Sequence, residues 1–218
     1  MFAYQLISNE IFALKPSDLA SSALVFMEDW QVKDLPVVQN SKILGIVNEL
    51  VLIENSNTKV ADILSTDLVY CLENTHFYDV LKLIFNQQIS SISVVDFEMS
   101  FKGIIAAKDL AKYLYEHSSL KQEGGIIVLQ MNSRNYSLAE IARITEINSA
   151  KILYAHVTPL ADEENNIHVS LKYNVIDLKY IAATFERFGY LIIFNSQQLS
   201  QTESSNERFD WLIKYLNT

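Results

Sequence analysis

Leu6-Ile7-Ser8-Asn9-Glu10-Ile11-Phe12 and Ile63-Leu64-Ser65-Thr66-Asp67-Leu68-Val69 are chemically one stretch written twice, 57 residues apart. A fixed offset of this kind sets the architecture before any single element is assigned. At the same offset Ser22 to Met27, Val32 and Leu35-Pro36-Val37-Val38 match Asp79 to Ile84, Ile89 and Ile92-Ser93-Val94-Val95. Past one extra residue in the second copy, Leu44-Gly45-Ile46-Val47-Asn48 meets Lys102-Gly103-Ile104-Ile105-Ala106, now at an offset of 58. One inserted residue between two apolar runs suits a hairpin turn. Residues 6–53 therefore recur at 63–111.

Each copy carries the same grammar. A short strand (Ile11 to Leu14; Leu68 to Leu72) precedes a helix start, Pro16-Ser17-Asp18 in one copy and Asn74-Thr75 in the other, where side-chain oxygens can take up orphan amides. Leu19, Ala23, Phe26 and Met27, and in the second copy Val80, Leu81, Ile84 and Phe85, fall at helical spacing and predict one apolar face per helix. Leu35 to Val38 and Ile43 to Val47, parted by Gln39-Asn40-Ser41-Lys42, predict a hairpin. A short helix closes each unit.

A β-α-β-β-α unit repeated once resembles the CBS domain pair over about the first 117 residues. Its tokens are Leu35-Pro36-Val37-Val38 and Gly45-Ile46-Val47, then Ser93-Val94-Val95, Gly103-Ile104-Ile105 and Lys108-Asp109-Leu110. Weak singly, they are specific in order and in duplicate. The resemblance implies one compact module from the two repeats, a disc-like homodimer of modules, and adenosine nucleotides bound in clefts between repeats.

The resemblance also implies a ligand signature: a Ser or Thr after the Gly-containing strand and, three residues later, an Asp at the start of the closing helix. The hydroxyl and helix amides would meet phosphate, and the carboxylate would accept hydrogen bonds from ribose. In the first copy these positions hold Asn48 and Val51, so the carboxylate is missing; in the second they hold Ala106 and Asp109, so only the hydroxyl is missing. The expected nucleotide site is thus Asp109 on the ribose and Lys108 near phosphate, beside Ala106. The purine would lie against Ser65, Leu68 and the backbone of Ser91 and Ile92. Read without a ligand, Asp109 is a helix N-terminal acid favoured by the macrodipole and Lys108 an exposed charge. AMP, ATP and S-adenosylmethionine are the candidate ligands. The acidic balance, net charge −9, favours a monophosphate or a neutral adenosine derivative over polyphosphates.

The polar run His117 to Gly125 ends in two of only five glycines and reads as a linker. Beyond it the pattern predicts a strand at Ile126 to Met131 and a helix at Leu138 to Asn148, apolar at Leu138, Ile141, Ala142 and Thr145. Ser137 and Glu140 stand at capping-box spacing ahead of it. A hairpin of Lys151 to Thr158 and Asn166 to Tyr173 follows, joined by Ala161 to Asn165. A helix at Leu178 to Phe188, stopped by Gly189, and a strand at Tyr190 to Asn195 complete the pattern. The order βαββαβ is ferredoxin-like and, after a CBS pair, resembles an ACT domain. The whole architecture resembles that of CBS and ACT proteins labelled acetoin utilisation proteins. Arg134 and Tyr136, in the first strand-to-helix turn, are candidates for touching a carboxylate ligand or a partner subunit, with a solvated loop as the alternative; that turn lacks the glycine of the ACT ligand site. The expected class is α+β. The expected domains are residues 1–58 and 59–117 for the repeats, 118–125 for the linker, 126–195 for the ACT-like domain and 196–218 for a tail with an amphipathic helix. That tail carries Phe209, Trp211, Leu212, Ile213, Tyr215 and Leu216.

Composition narrows the function classes. Half of the 218 residues are hydrophobic and mean hydropathy is +0.11, a globular balance. The apolar runs are far shorter than the roughly 20 residues of a membrane span, and Met1-Phe2-Ala3-Tyr4-Gln5 has no secretory pattern, so a cytoplasmic protein without a membrane partner is expected. Scattered Lys and Arg argue against a nucleic-acid surface. Cys71 is alone and expected as a buried thiol. His76, His117, His156 and His168 show no metal-ligand spacing, and His156 and His168, on the two hairpin strands, are read as cross-strand packing; no Walker, nucleophile-elbow or dinucleotide motif occurs. The expected function is a non-catalytic regulatory homodimer that senses an adenosine-type ligand and needs no cofactor. The alternative is a ligand-free scaffold that dimerises and presents a surface to a protein partner.

Overall fold

The computed structural model describes residues 1–160 and 165–197. These divide into two compact units, the first ending at His117 and the second beginning at Ser118. The predicted tail helix and residues 161–164 of the hairpin connection lie outside the described residues.

In the first unit, α1 (Ala20–Trp30), β1 (Asp34–Gln39), β2 (Lys42–Asn48) and α2 (Glu49–Glu54) are followed by β3 (Tyr70–Leu72), α3 (Phe77–Gln87), β4 (Ser91–Val95), β5 (Phe101–Ala106) and α4 (Ala107–His117). The two hairpins are antiparallel and carry the same irregularity, at Val37/Val38 and at Val94/Val95. The inserted residue falls in the turn: Asn40 and Ser41, both at positive φ, connect the first hairpin, and residues 96–100 the second. Asn at the left-handed position costs little, and two consecutive such residues give the tight turn whose twist matches the strands.

Several expectations need correction. The strand at Ile11 to Leu14 shrinks to one parallel bridge, Leu14 to Val37, whereas its counterpart forms β3 beside β4. The cause lies one residue on: the Glu73 N–H donates to the Val95 carbonyl at 2.8 Å, and the equivalent residue is Pro16, which has no N–H. Pro16-Ser17-Asp18 does not cap α1. The Asp18 carboxylate instead accepts from the Lys15 N–H at 2.7 Å, and the Ala20 N–H donates to the Thr58 carbonyl at 2.9 Å. On α3 the cap is His76, whose Nδ1 accepts from the Tyr78 N–H at 3.3 Å, and the Phe77 N–H donates to the Met1 carbonyl. Both helices thus start on backbone from the other copy's lead-in. The buried faces are Ala20, Ala23 and Met27, and Phe77, Val80 and Ile84; Leu19, Phe26 and Phe85 are exposed, with Phe26 stacked on Trp30 at 5.2 Å.

The lead-ins explain the glycines of both hairpins. Residues 63–65 run along β2, where Ser65 and Ile46 exchange two backbone hydrogen bonds of 2.8 Å, and residues 6–8 run along β5, where the Ser8 N–H donates to the Ile104 carbonyl at 2.9 Å. A Cβ on Gly45 would sit 2.5 Å from the Ser65 carbonyl oxygen, and one on Gly103 would sit 2.3 Å from Ile7 Cγ2. Each glycine admits the opening segment of the other repeat. The cores interlock accordingly: Ile104 and Ala106 of β5 pack among first-repeat residues such as Leu14 and Leu35, while Ala3 and Leu6 pack with Val80 and Ile92 of the second. Asp34 and its repeat-equivalent Ser91 meet at the centre. The buried Asp34 carboxylate accepts from the Ser90 N–H at 2.7 Å, from the Ser90 hydroxyl and from the Ser91 N–H at 3.1 Å, and the Ser91 hydroxyl donates to the Asp34 carbonyl at 2.7 Å.

The second unit contains β6 (Ile126–Asn132), α5 (Leu138–Ile147), β7 (Ile152–Pro159), β8 (Asn166–Tyr173), α6 (Lys179–Arg187) and β9 (Leu191–Asn195). The sheet runs β7-β8-β6-β9 with every neighbouring pair antiparallel, which with the βαββαβ order is a ferredoxin-like domain. Ile141, Ile144, Ile181 and Phe185 of the helices cover Ile127, Leu129, Val169 and Leu171 of the sheet. Leu138, expected on the buried face of α5, is exposed because the stripe passes through Ile144 instead. The Ser137 hydroxyl accepts from the Glu140 N–H at 3.2 Å, half of the expected capping box; the Glu140 side chain turns to the Tyr190 hydroxyl. His156 pairs with Ser170, and His168 with Thr158, so the two imidazoles stand diagonally and not opposite each other.

Candidate functional site

The first unit holds a cavity of about 300 Å³ between residues 5–10 and one face of α4. That volume is at the small end of ligand pockets. Asp109, Lys112, Tyr113 and Glu116 line it, at the i, i+3, i+4, i+7 spacing that puts four side chains on one stripe of a helix. Ser8 and Glu10 line the opposite wall. The Ser8 hydroxyl accepts from the Glu10 N–H at 3.3 Å, a local bond within that segment.

Asp109 stands in the first turn of α4, where the helix dipole favours a carboxylate. Its Oδ2 is buried and has no hydrogen-bond partner. A buried acceptor left unpaired costs free energy, on the order of 1–3 kcal/mol, and more when charged. The arrangement is built to receive a donor, such as a hydroxyl or an ammonium group.

The other expected site residues are dispersed. Ser65 lies on β2 against Ile46, and the lead-in next to Asp109 contributes Ser8, its repeat-equivalent. Ser91 is occupied by Asp34, and Ile92 and Ala106 are buried in the β4–β5 pair. Leu68 is exposed, and the Lys108 ammonium donates to the Trp30 carbonyl at 2.6 Å. Asp109 alone of the expected set lines the cavity. In the first repeat the Asn48 carboxamide caps α2 through the Val51 N–H at 2.9 Å, leaving no carboxylate at the equivalent place. The stripe on α4 was readable from spacing, and Ser8 from the repeat itself. What the sequence conceals is that each lead-in crosses to the other copy.

In the second unit Arg134 is exposed in a single helical turn and Tyr136 packs on the core. A second cavity of about 300 Å³ lies nearby, lined by Gln130, Asn132, Asn135, Glu140 and Tyr190, and by neither expected residue. Burial, reinforced by Glu140, pushes the Tyr190 hydroxyl up to about 12. Burial also raises the Cys71 thiol to about 12, which keeps it protonated and inert. No group of three or more His, Cys, Asp or Glu able to hold a metal occurs among the described residues, and no helix among them is long and apolar enough to cross a membrane.

The family model for the CBS domain matches residues 60–116. An inosine-5'-monophosphate dehydrogenase of Methanocaldococcus jannaschii is 25% identical over 168 residues, 75% of this chain and 34% of that protein. The corresponding enzyme of Thermoplasma acidophilum is 22% identical over 169 residues, 77% of this chain and again 34% of the relative. The chain thus spans about a third of the length of these curated relatives. Among solved structures, a CBS domain pair/ACT domain protein from Thermotoga maritima overlays with TM-score 0.47 at 23% identity, covering 53% of this chain and 98% of that one. CBSX2 in complex with AMP overlays with TM-score 0.46 at 17% identity, covering 53% and 96%. The matched span begins at Val60, the equivalent of Ala3 one repeat earlier, and the two spans share their helix starts, hairpins and lead-ins. Residues 60–116 are a CBS domain, and with its structural twin before it the first unit of this chain is a CBS domain pair.

Proposed function

We propose that the CBS pair is a non-catalytic regulatory module that binds an adenosine-type ligand in the Asp109 cavity. The buried, unpartnered Oδ2 of Asp109 carries the reading, because ribose hydroxyls are donors of the kind it lacks. The cavity is walled by a lead-in from one repeat and a helix from the other, so a ligand that fits it favours one angle between the repeats, by as much as its affinity differs between angles. The protein acts in the cytoplasm as a homodimer, passing that change to a protein partner. Saturating ligand at a hundredfold excess over Kd stabilises by about 2.7 kcal/mol, a Tm rise of about 5–10 °C for a chain of this size. Thermal melts of the full chain with adenosine, AMP, ATP and S-adenosylmethionine test it: a shift lost in Asp109→Ala is the expected result, and no shift with any of the four overturns it.

A second reading, a ligand-free scaffold, draws on exposed apolar side chains of the same unit, among them Leu50 at 72% and Phe85 at 69% exposure. It is favoured if the melts stay flat while sedimentation shows a homodimer that Leu50→Glu and Phe85→Glu dissociate.

A further inference from the structure

We infer that the Asp109 cavity selects a purine nucleoside whose 5′ substituent is neutral or cationic, against one that carries phosphate. The inference rests on the nucleoside reading above and adds the charge of the ligand to it. The lining holds three carboxylates, Glu10, Asp109 and Glu116, against the single ammonium of Lys112. Lys112, Glu10 and Glu116 are all exposed, so solvent weakens each alike, and the excess of carboxylates over ammonium remains. The neighbouring cation, Lys108, is turned away and held by the Trp30 carbonyl at 2.6 Å. A phosphate entering this space approaches a net excess of negative charge.

The donor that Asp109 Oδ2 lacks is met by a ribose hydroxyl, which adenosine, S-adenosylmethionine, AMP and ATP all carry, so selection falls on the 5′ substituent and the rest of the lining. The residue that begins the turn into α4 is Ala106, whose methyl group is buried and cannot bond a phosphate oxygen. The amide of the first helical residue, Ala107, is already taken by the Ser90 carbonyl at 2.8 Å. At this helix start one amide is thus filled and the expected hydroxyl is absent, while an acidic rim is added.

Like charges placed within several ångströms in a partly screened cleft change affinity by about tenfold or more per phosphate charge. Isothermal titration of the full chain at low ionic strength, with adenosine, S-adenosylmethionine, AMP and ATP as probes, reads this directly. Adenosine and S-adenosylmethionine should bind at least about tenfold tighter than AMP, and AMP tighter than ATP. The gap between adenosine and AMP should narrow in the Glu10→Gln, Glu116→Gln double variant, whose substitutions are exposed and leave the core intact. A tighter S-adenosylmethionine than adenosine identifies a cationic ligand, and equal affinities a neutral one; either supports the inference. AMP or ATP binding as tightly as adenosine overturns it and leaves the nucleoside reading standing. No binding by any of the four overturns both.

Discussion

The two repeats share a backbone plan and differ at the place where a ligand would be held. In the second, Asp109 presents a buried unpaired oxygen to a cavity; in the first, the same helical position is Val51, and Asn48 spends its carboxamide on capping α2. What is preserved between them is structural: the glycine under each lead-in, the hairpin irregularity, and the left-handed residues Gln31 and Gln88 that end α1 and α3. Packing therefore tolerates loss of the site residues but not of the glycines, and the two classes of position can be tested separately.

The largest expected effect is at the shared centre. Asp34→Ala strands the Ser90 and Ser91 donors and should cost about 3 kcal/mol in chemical denaturation, whereas Ser91→Ala, at the equivalent position, should cost about 1. Equal costs would mean that the latch is not the asymmetric bond set seen. Next come the glycines. Gly45→Ala presses on the Ser65 backbone carbonyl and should lose about 2 kcal/mol, more than Gly103→Ala, which presses only on the Ile7 side chain. The reverse order would show that the lead-in on β5 is the more rigid.

Asp109→Asn should leave the Tm of the ligand-free chain unchanged or slightly raised, since it removes an unpaired buried charge while abolishing ligand-induced shifts. A large loss of stability would place Asp109 in the fold and not in a site. The smallest effect belongs to the longer turn of the second hairpin, where Lys102 lies 2.8 Å from Asp96 and, with the Ser100 and Glu98 amides, holds its carboxyl below the usual aspartate range. That contribution is present above the unfolded aspartate value and lost as pH falls through the lower folded one. Lys102→Met should flatten the acid limb of the stability profile, and an unchanged limb assigns it elsewhere. Cys71, by contrast, should resist a thiol reagent at pH 8 until the chain unfolds, because burial holds its thiol near 12.

Order and type of the elements were legible because periodicity and repetition are written locally. The repeat placed both hairpins, and βαββαβ followed from alternation and capping residues such as Ser137. Helix starts were misread because α1 begins on the distant Thr58 carbonyl, and α3 on the His76 imidazole together with the distant Met1 carbonyl, none of which the expected oxygen-bearing caps reveal. The site was half legible for the same reason. Asp109 sits at a motif position, but the wall opposite it comes from residues 5–10, beside the strand of the other copy.

The crossed lead-ins also bear on how such a pair could arise. In this chain each lead-in lies on the other repeat's hairpin, so a single repeat gains the same arrangement when two molecules trade segments. Joining two copies in one polypeptide replaces that bimolecular encounter with an intramolecular one, at an effective concentration set by the short connection between them. Once the exchange is guaranteed by covalent linkage, the copies no longer need to stay identical. One can let its acid lapse to valine while the other keeps it, and the assembly that both depend on survives the divergence.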